Sequence, residues 1–372
     1  MRGKVVSVLF VILMFGVGVF QWLMPDQAFS ENENRYLAQM PDFSAKALAD
    51  GSYTKKLGDY MTDQFPLRNQ WVGLKTLTER FVGKRDSGGV YFGKDGYLIE
   101  MFSQIDADRY EKNWKTVKAF AEEGERVWGI RVQAMLVPAP SGILKDKLPA
   151  NAPEVDETAL LEQARAGGVP LFDVTDVLQA HSGESIYYKT DHHWTGLGAY
   201  YAYQAWQKSQ GKETKPLSAY TEEVLSDRFY GTTYSKANLY TAEPDTIRAY
   251  YTKDQVEVFY NNGAETAQSA YTRSYLQGKD KYSVFFNGNQ PVTKIKGRNP
   301  QGGKLLLVKD SYANTFAQFA LEDYAEVHLI DLRYYKEPVG DYIKAQGISD
   351  VLILYSLKNF AGDTAVYALH AE

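Results

Sequence analysis

Two short strings hold the residues able to do nucleophilic chemistry. The first is Thr190-Asp191-His192-His193-Trp194-Thr195, and the second is Lys309-Asp310-Ser311-Tyr312-Ala313-Asn314. A serine becomes a nucleophile only when a base takes its proton, and His192 or His193 can serve as that base. Asp191 can then fix the imidazole tautomer and stabilise the imidazolium. In an extended segment residues i and i+2 point the same way, so Asp191 and His193 form the better acid–histidine pair. On that spacing His192 faces away, into structure. Ser311 stands where a strand hands over to a helix, and free N–H groups at a helix start favour an anion. The plainer reading of such a serine is a helix cap. A metal site finds little support. Beyond Asp191, His192 and His193 only His181, His328 and His370 remain, with no second ligand cluster and no His-Glu-x-x-His spacing. His328 lies in an apolar run and reads as a core residue.

The two strings are 120 residues apart, so the fold must bring them together. The apolar runs Arg131 to Val137 and Val169 to Val174 read as buried strands flanking a helix around 157–167. The same alternation resumes with strands at 304–308, 327–331 and 351–355 and helices at 311–321 and 338–346. Strand–helix–strand order predicts a parallel sheet with helices on both faces, an α/β architecture. In such sheets ligands bind beyond the carboxyl ends of strands, where both strings fall. Residues 45–83 carry helical periodicity broken at Pro66, and 105–128 predicts one further helix. Residues 90–98 read as a compact hairpin turning at Lys94-Asp95-Gly96. The segment 215–300 is rich in Tyr and Thr with short alternating runs, and predicts a β-rich insertion.

Composition narrows the function classes. The 372 residues contain 41 Lys+Arg and 46 Asp+Glu, a net charge of −5, which argues against nucleic acid as a partner. The absence of cysteine removes disulfides, thiol nucleophiles and the commonest zinc sites. Val5 to Met24 contains no charged residue, long enough for a helix to span a bilayer. Arg2 and Lys4 precede the run while Asp26, Glu31 and Glu33 follow it, which predicts a cytoplasmic tip and an extracytoplasmic remainder. The bulky residues at its end, Gln21-Trp22-Leu23-Met24, do not suit signal cleavage, so the expectation is an uncleaved anchor in a cell membrane. The organisation expected is tip and anchor over 1–25, a helical linker region over 26–85, and a catalytic domain over 86–372 that contains the insertion.

The string Asp191-His192-His193-Trp194 resembles the signature of the DHHW family, whose relatives include the alginate O-acetyltransferases. Five further segments fall in the order expected of that group: Ser30 to Pro41, Asp63 to Arg68, Val90 to Leu98, Lys309 to Asn314, and Ile330 to Tyr335. The resemblance implies a three-layer, circularly permuted SGNH-hydrolase-like domain with a mostly parallel sheet. It implies Ser311 as nucleophile, His193 as base and Asp191 as its partner. Lys309 stands where a glycine is usual, which leaves the oxyanion hole open. The Ser311 N–H, Asn314, Arg333 and the Gly288-Asn289 turn are the candidates, with a surface ion pair the plainer reading of Arg333. The activity implied is extracytoplasmic O-acetyl transfer onto a polysaccharide through an acyl-enzyme, with no cofactor. A membrane-bound O-acyltransferase is the implied supplier of acetyl groups. A carbohydrate esterase with the same triad, or a non-catalytic scaffold or sugar-binding subunit of an export complex, are the alternatives.

Overall fold

The fold is taken from a computed structural model, which describes residues 6–7, 10, 15–16, 18–21, 23–30, 32–33 and 35–370. Much of the expected anchor, Val5 to Met24, lies outside the described residues. Among the described residues no helix is long and apolar enough to cross a membrane. The chain divides into two units, Met1–Gly88 with Tyr234–Thr241, and Gly89–Thr233 with Ala242–Glu372. The inclusion of Tyr234–Thr241 in the first unit was not legible in the sequence.

In the first unit a two-residue ladder, β1 (Phe29–Ser30) and β2 (Arg35–Tyr36), precedes helices α1 (Ala45–Ala49), α2 (Ser52–Asp63) and α3 (Arg68–Phe81). The helical stretch breaks at 64–67 as the proline predicts, because Pro66 has no N–H to give. Two of the sequence motifs meet here. The Arg35 guanidinium forks onto Asp63 at 2.6 and 2.8 Å, and Arg68 pairs with Glu33. Ser30–Pro41 and Asp63–Arg68 are thus two halves of one ion-pair cluster. Tyr240 packs against Gly73 of α3, where any Cβ would collide with its ring.

The second unit is built on a seven-stranded sheet. Its strands are β5 (Arg131–Val137), β8 (Gln255–Tyr260), β9 (Glu265–Ser269), β10 (Val292–Lys296), β11 (Lys304–Lys309), β12 (Glu326–Ile330) and β13 (Asp350–Ser356), in the order β9-β8-β10-β12-β11-β13-β5. From β12 to β5 the pairing is parallel, and β10, β8 and β9 continue the sheet antiparallel. Side chains alternate faces along a strand. Leu305 and Leu307 of β11 therefore join one core cluster and Leu306 and Val308 the other. The first cluster is covered by α6 (Gly196–Ser209) and α7 (Ala313–Ala320). The second is covered by α4 (Ala107–Glu123), α5 (Glu157–Ala166), α8 (Val339–Gln346) and α9 (Leu357–Gly362). The result is the expected three-layer α/β/α arrangement.

Two expectations are corrected. The segment 215–300 is not a self-contained β insertion, because β8, β9 and β10 extend the main sheet. Only β6 (Thr221–Phe229) and β7 (Asp245–Tyr251) form a separate ribbon. The sheet is accordingly mixed rather than mostly parallel. The expected strand at 169–174 is reduced to a single bridge, Ala134 to Leu171. Pro170 can accept from the Ala134 N–H but has no N–H of its own to extend a ladder. The short hairpin of β3 (Val90–Phe92) and β4 (Leu98–Glu100) forms as predicted.

Candidate active site

β11 ends at Lys309, and α7 begins at Ala313, so Ser311 sits in the turn at the carboxyl edge of the parallel strands. Asp310 fixes this turn. Its carboxylate accepts from Tyr312 N (2.9 Å), Ser356 N (2.9 Å), Ser356 Oγ (3.1 Å) and Asn359 Nδ2 (2.9 Å), binding the turn to the end of β13. Among the described residues no backbone acceptor takes the Ser311 N–H.

The histidine string lies in the loop before α6. Asp245, at the start of β7, accepts from Lys189 N (2.9 Å), Thr190 N (2.7 Å) and Thr190 Oγ1 (2.6 Å) and holds the loop's entry. Trp194 is fully buried, and its indole N–H donates to the Tyr312 carbonyl at 2.9 Å. Tyr312 in turn donates its hydroxyl to the His192 carbonyl. These two bonds join the histidine loop to the serine turn across 118 residues and more of chain.

Between them runs a continuous hydrogen-bonded chain. His193 Nε2 is 2.7 Å from Ser311 Oγ, and His193 Nδ1 is 2.5 Å from Asp191 Oδ1. Asp191 also accepts from His193 N (3.0 Å), Thr232 N (2.8 Å) and Thr232 Oγ1 (3.0 Å). Burial alone would raise the Asp191 pKa, but the two imidazoles and the hydrogen-bond donors outweigh it. The carboxylate is held well below the usual range. Tyr282 stacks on the His193 ring at 3.8 Å and 12°, and its hydroxyl donates to the Ser311 carbonyl at 3.1 Å.

His192 does not face away from this chain, as its spacing predicted. Its ring lies 3.9 Å from that of His193, and its Nδ1 is 2.6 Å from Thr232 Oγ1. The loop here is a turn rather than an extended strand, so the alternation rule does not hold across it. Asp191, His192 and His193 are close enough to one another to hold an ion. Their hydrogen bonds, however, are already shared with Ser311 and Thr232.

The remaining candidates separate into two groups. Asn289 and Asn314 come together, with Asn314 Nδ2 3.5 Å from Asn289 Oδ1 and Lys309 Nζ 2.8 Å from the same oxygen. Lys309 is buried, and that burial lowers its pKa to about 8 against the pull of Asp331. Arg333 forks onto the fully buried Asp331 at 2.8 and 2.5 Å. His328 is a buried residue bonded to Tyr342 and Glu326, as expected of a core histidine. Thr232, Tyr282 and Asp245 were missed by sequence reasoning. Each lies 29 or more residues from the site residue it bonds, and no local pattern marks it.

A Ser–His–Asp chain at the carboxyl edge of a three-layer α/β domain is an arrangement able to support serine-dependent acyl transfer or hydrolysis. A family model described as DHHW protein matches residues 164–330. This segment includes both strings. A curated relative, "Probable alginate O-acetylase AlgJ" of Pseudomonas aeruginosa, is 26% identical over 174 residues, covering 44% of this chain and 44% of that protein. The match thus spans less than half the length of that relative. Among solved structures, a DHHW family protein from Eubacterium siraeum is 26% identical, with a TM-score of 0.66 over 76% of this chain and 95% of that one. Bacillus cereus PatB1 is 20% identical with a TM-score of 0.60 over 73% and 97%, a likeness of fold.

Proposed function

We propose that this protein is an extracytoplasmic O-acetyltransferase that moves acetyl groups onto hydroxyls of a polysaccharide. The observation that carries the reading is the unbroken hydrogen-bonded chain from Ser311 through His193 to Asp191. The likeness to a protein named as a probable alginate O-acetylase supports the substrate class.

In this reading Ser311 Oγ attacks the carbonyl carbon of an acetyl donor while its proton passes to His193 Nε2. The negative charge that develops on the carbonyl oxygen meets the Ser311 N–H at the start of α7. His193 returns the proton to the departing group, and the acetyl remains as an ester on Ser311. A sugar hydroxyl then gives its proton to His193 and attacks the ester carbon. The bond to Ser311 Oγ breaks, and the serine takes the proton back. Asp191 stays ionised throughout and stabilises the imidazolium in both halves. Asn289 and Asn314, joined with Lys309 in one hydrogen-bonded group, are oxyanion or substrate-contact candidates, as is Arg333, anchored by Asp331.

The apolar run Val5 to Met24 supports a single-pass membrane anchor with the catalytic unit outside. Acetyl-CoA is a cytoplasmic donor, so this placement calls for a partner that exports acetyl groups, a role suited to a multi-spanning membrane-bound O-acyltransferase. The test is the acetyl content of the cell's glycopolymers in a Ser311→Ala strain. Loss of acetyl groups at a normal protein level is the expected result, and unchanged acetylation would sink the proposal.

A further inference from the structure

The acetyl-transfer chain uses His193 and leaves its neighbour His192 without a task. Three observations give that ring a defined chemical state. The Thr232 hydroxyl has one hydrogen, and it is donated to Asp191 Oδ2 at 3.0 Å. Toward His192 Nδ1, at 2.6 Å, the same oxygen can only accept, so Nδ1 carries the hydrogen. A neutral imidazole with hydrogen on Nδ1 has a lone pair on Nε2. Burial and the adjacent His193 both disfavour the imidazolium and keep His192 neutral.

The direction of that lone pair follows from the neighbouring ring. His192 Nδ1 and His193 Nδ1 both lie near Asp191 Oδ1, at 3.7 and 2.5 Å. The rings lie 3.9 Å apart and are inclined by 37°. Both therefore turn their Nε2 edges away from the acid, and the His193 edge meets Ser311. The His192 side chain is 25% exposed, and no group among the described residues bonds its Nε2. A fixed acceptor on a partly exposed side chain thus stands beside the base that handles the incoming hydroxyl.

We propose that His192 Nε2 is a specificity group for the acetyl acceptor, taking a hydrogen bond from the hydroxyl next to the one that is acetylated. The attacking hydroxyl must give its proton to His193, so it cannot also serve His192. Neighbouring hydroxyl oxygens on a sugar ring are separated by about one hydrogen-bond length, which matches two stacked acceptors. The site is then built for vicinal diols over lone alcohols and over water. This inference rests on the acetyl-transfer reading and adds to it what the acceptor must look like.

The experiment uses the full-length protein in detergent with p-nitrophenyl acetate as donor, and glycerol or 1-propanol as competing acceptors. The quantity read is the ratio of acetyl ester formed to acetate released. That ratio is set after the acyl-enzyme exists and does not depend on how fast it forms. The wild type is expected to acetylate glycerol in preference to 1-propanol at equal concentration. His192→Phe should reduce that preference about fivefold, the loss of one neutral hydrogen bond. His192→Gln, which keeps an acceptor atom, should restore part of it. Equal use of both alcohols by the wild type, or an unchanged preference in His192→Phe, overturns the inference. Nitrophenolate release that survives in Ser311→Ala overturns the acetyl-transfer reading itself, and with it the basis of the inference.

Discussion

Four hydrogen bonds converge on the carboxylate of Asp191, two from His193 and two from Thr232. This crowding explains how a fully buried acid remains ionised: the donors replace the water it has lost. Asp191→Asn keeps the shape but presents an amide that cannot hold the required tautomer, and kcat should fall by roughly 10³–10⁴. Thr232→Val keeps the backbone bond and removes the hydroxyl. A bond to a charged group contributes about 1.5–3 kcal/mol, so kcat should drop at least tenfold with KM for a small acetyl ester little changed. A KM rise with kcat intact would instead place Thr232 in substrate binding. Gly231 supplies a steric test. A Cβ there would collide with Asp191 Cβ and Oδ2, so Gly231→Ala should displace the acid and cost on the order of 10² in kcat. Single-turnover acylation measured beside a folded far-UV spectrum separates this from simple unfolding. At this scale the sequence was partly legible. Asp191, His193 and Ser311 stand out because their residue types are rare and their spacing is suggestive. Thr232 does not, since nothing local marks a threonine 41 residues downstream of the acid it supports.

Among the elements, the α/β half beginning at β11 was readable for a physical reason. Leu305 to Val308 is buried on both faces, and a continuous apolar run of that length suits a central parallel strand. β8 alternates instead, with Val256, Val258 and Tyr260 buried and the residues between them more open. That pattern predicts a half-covered strand but not which sheet receives it. The pairing of Thr293 with Tyr260 and Leu329 is what joins it to the centre, and such long-range register leaves no local trace. A second elemental feature ties the chain just after β5 to the start of α5. Glu157, the first residue of that helix, is buried and accepts from Ala139 N at 2.8 Å. Burial first, and then the nearby Glu154, raise its pKa to about 8. The folded state therefore binds a proton that the unfolded chain releases above about pH 4.5. Stability should fall as pH rises from there to about 8, with a slope no steeper than about 1.4 kcal/mol per pH unit from this group. Glu157→Gln keeps the acceptor for Ala139 and removes the titration. Its urea midpoint should exceed the wild type's at pH 8 and match it near pH 4.5. Equal midpoints at both pH values would contradict the assignment.

At the scale of the whole molecule, the sequence reading divided the chain by composition, whereas the structure groups Tyr234–Thr241 with the N-terminal helices. The anchor expectation makes its own forecast. The full chain should remain in the membrane fraction after alkaline carbonate washing, and protease added outside intact cells or spheroplasts should digest it. Release by the wash, or protection from the protease, would remove the proposed placement. One feature of the serine turn bears on motion across the entire fold. Asp310 ties the residues around Ser311 to the end of β13, the strand between β11 and β5 at the middle of the parallel region. The turn consequently has no private way to open. Its amides, those of Tyr312 and Ser356 in particular, should exchange with deuterium only as fast as the central sheet itself comes apart. The lifetime of the reactive serine's posture is then the lifetime of the folded domain, and heat or denaturant should abolish both together.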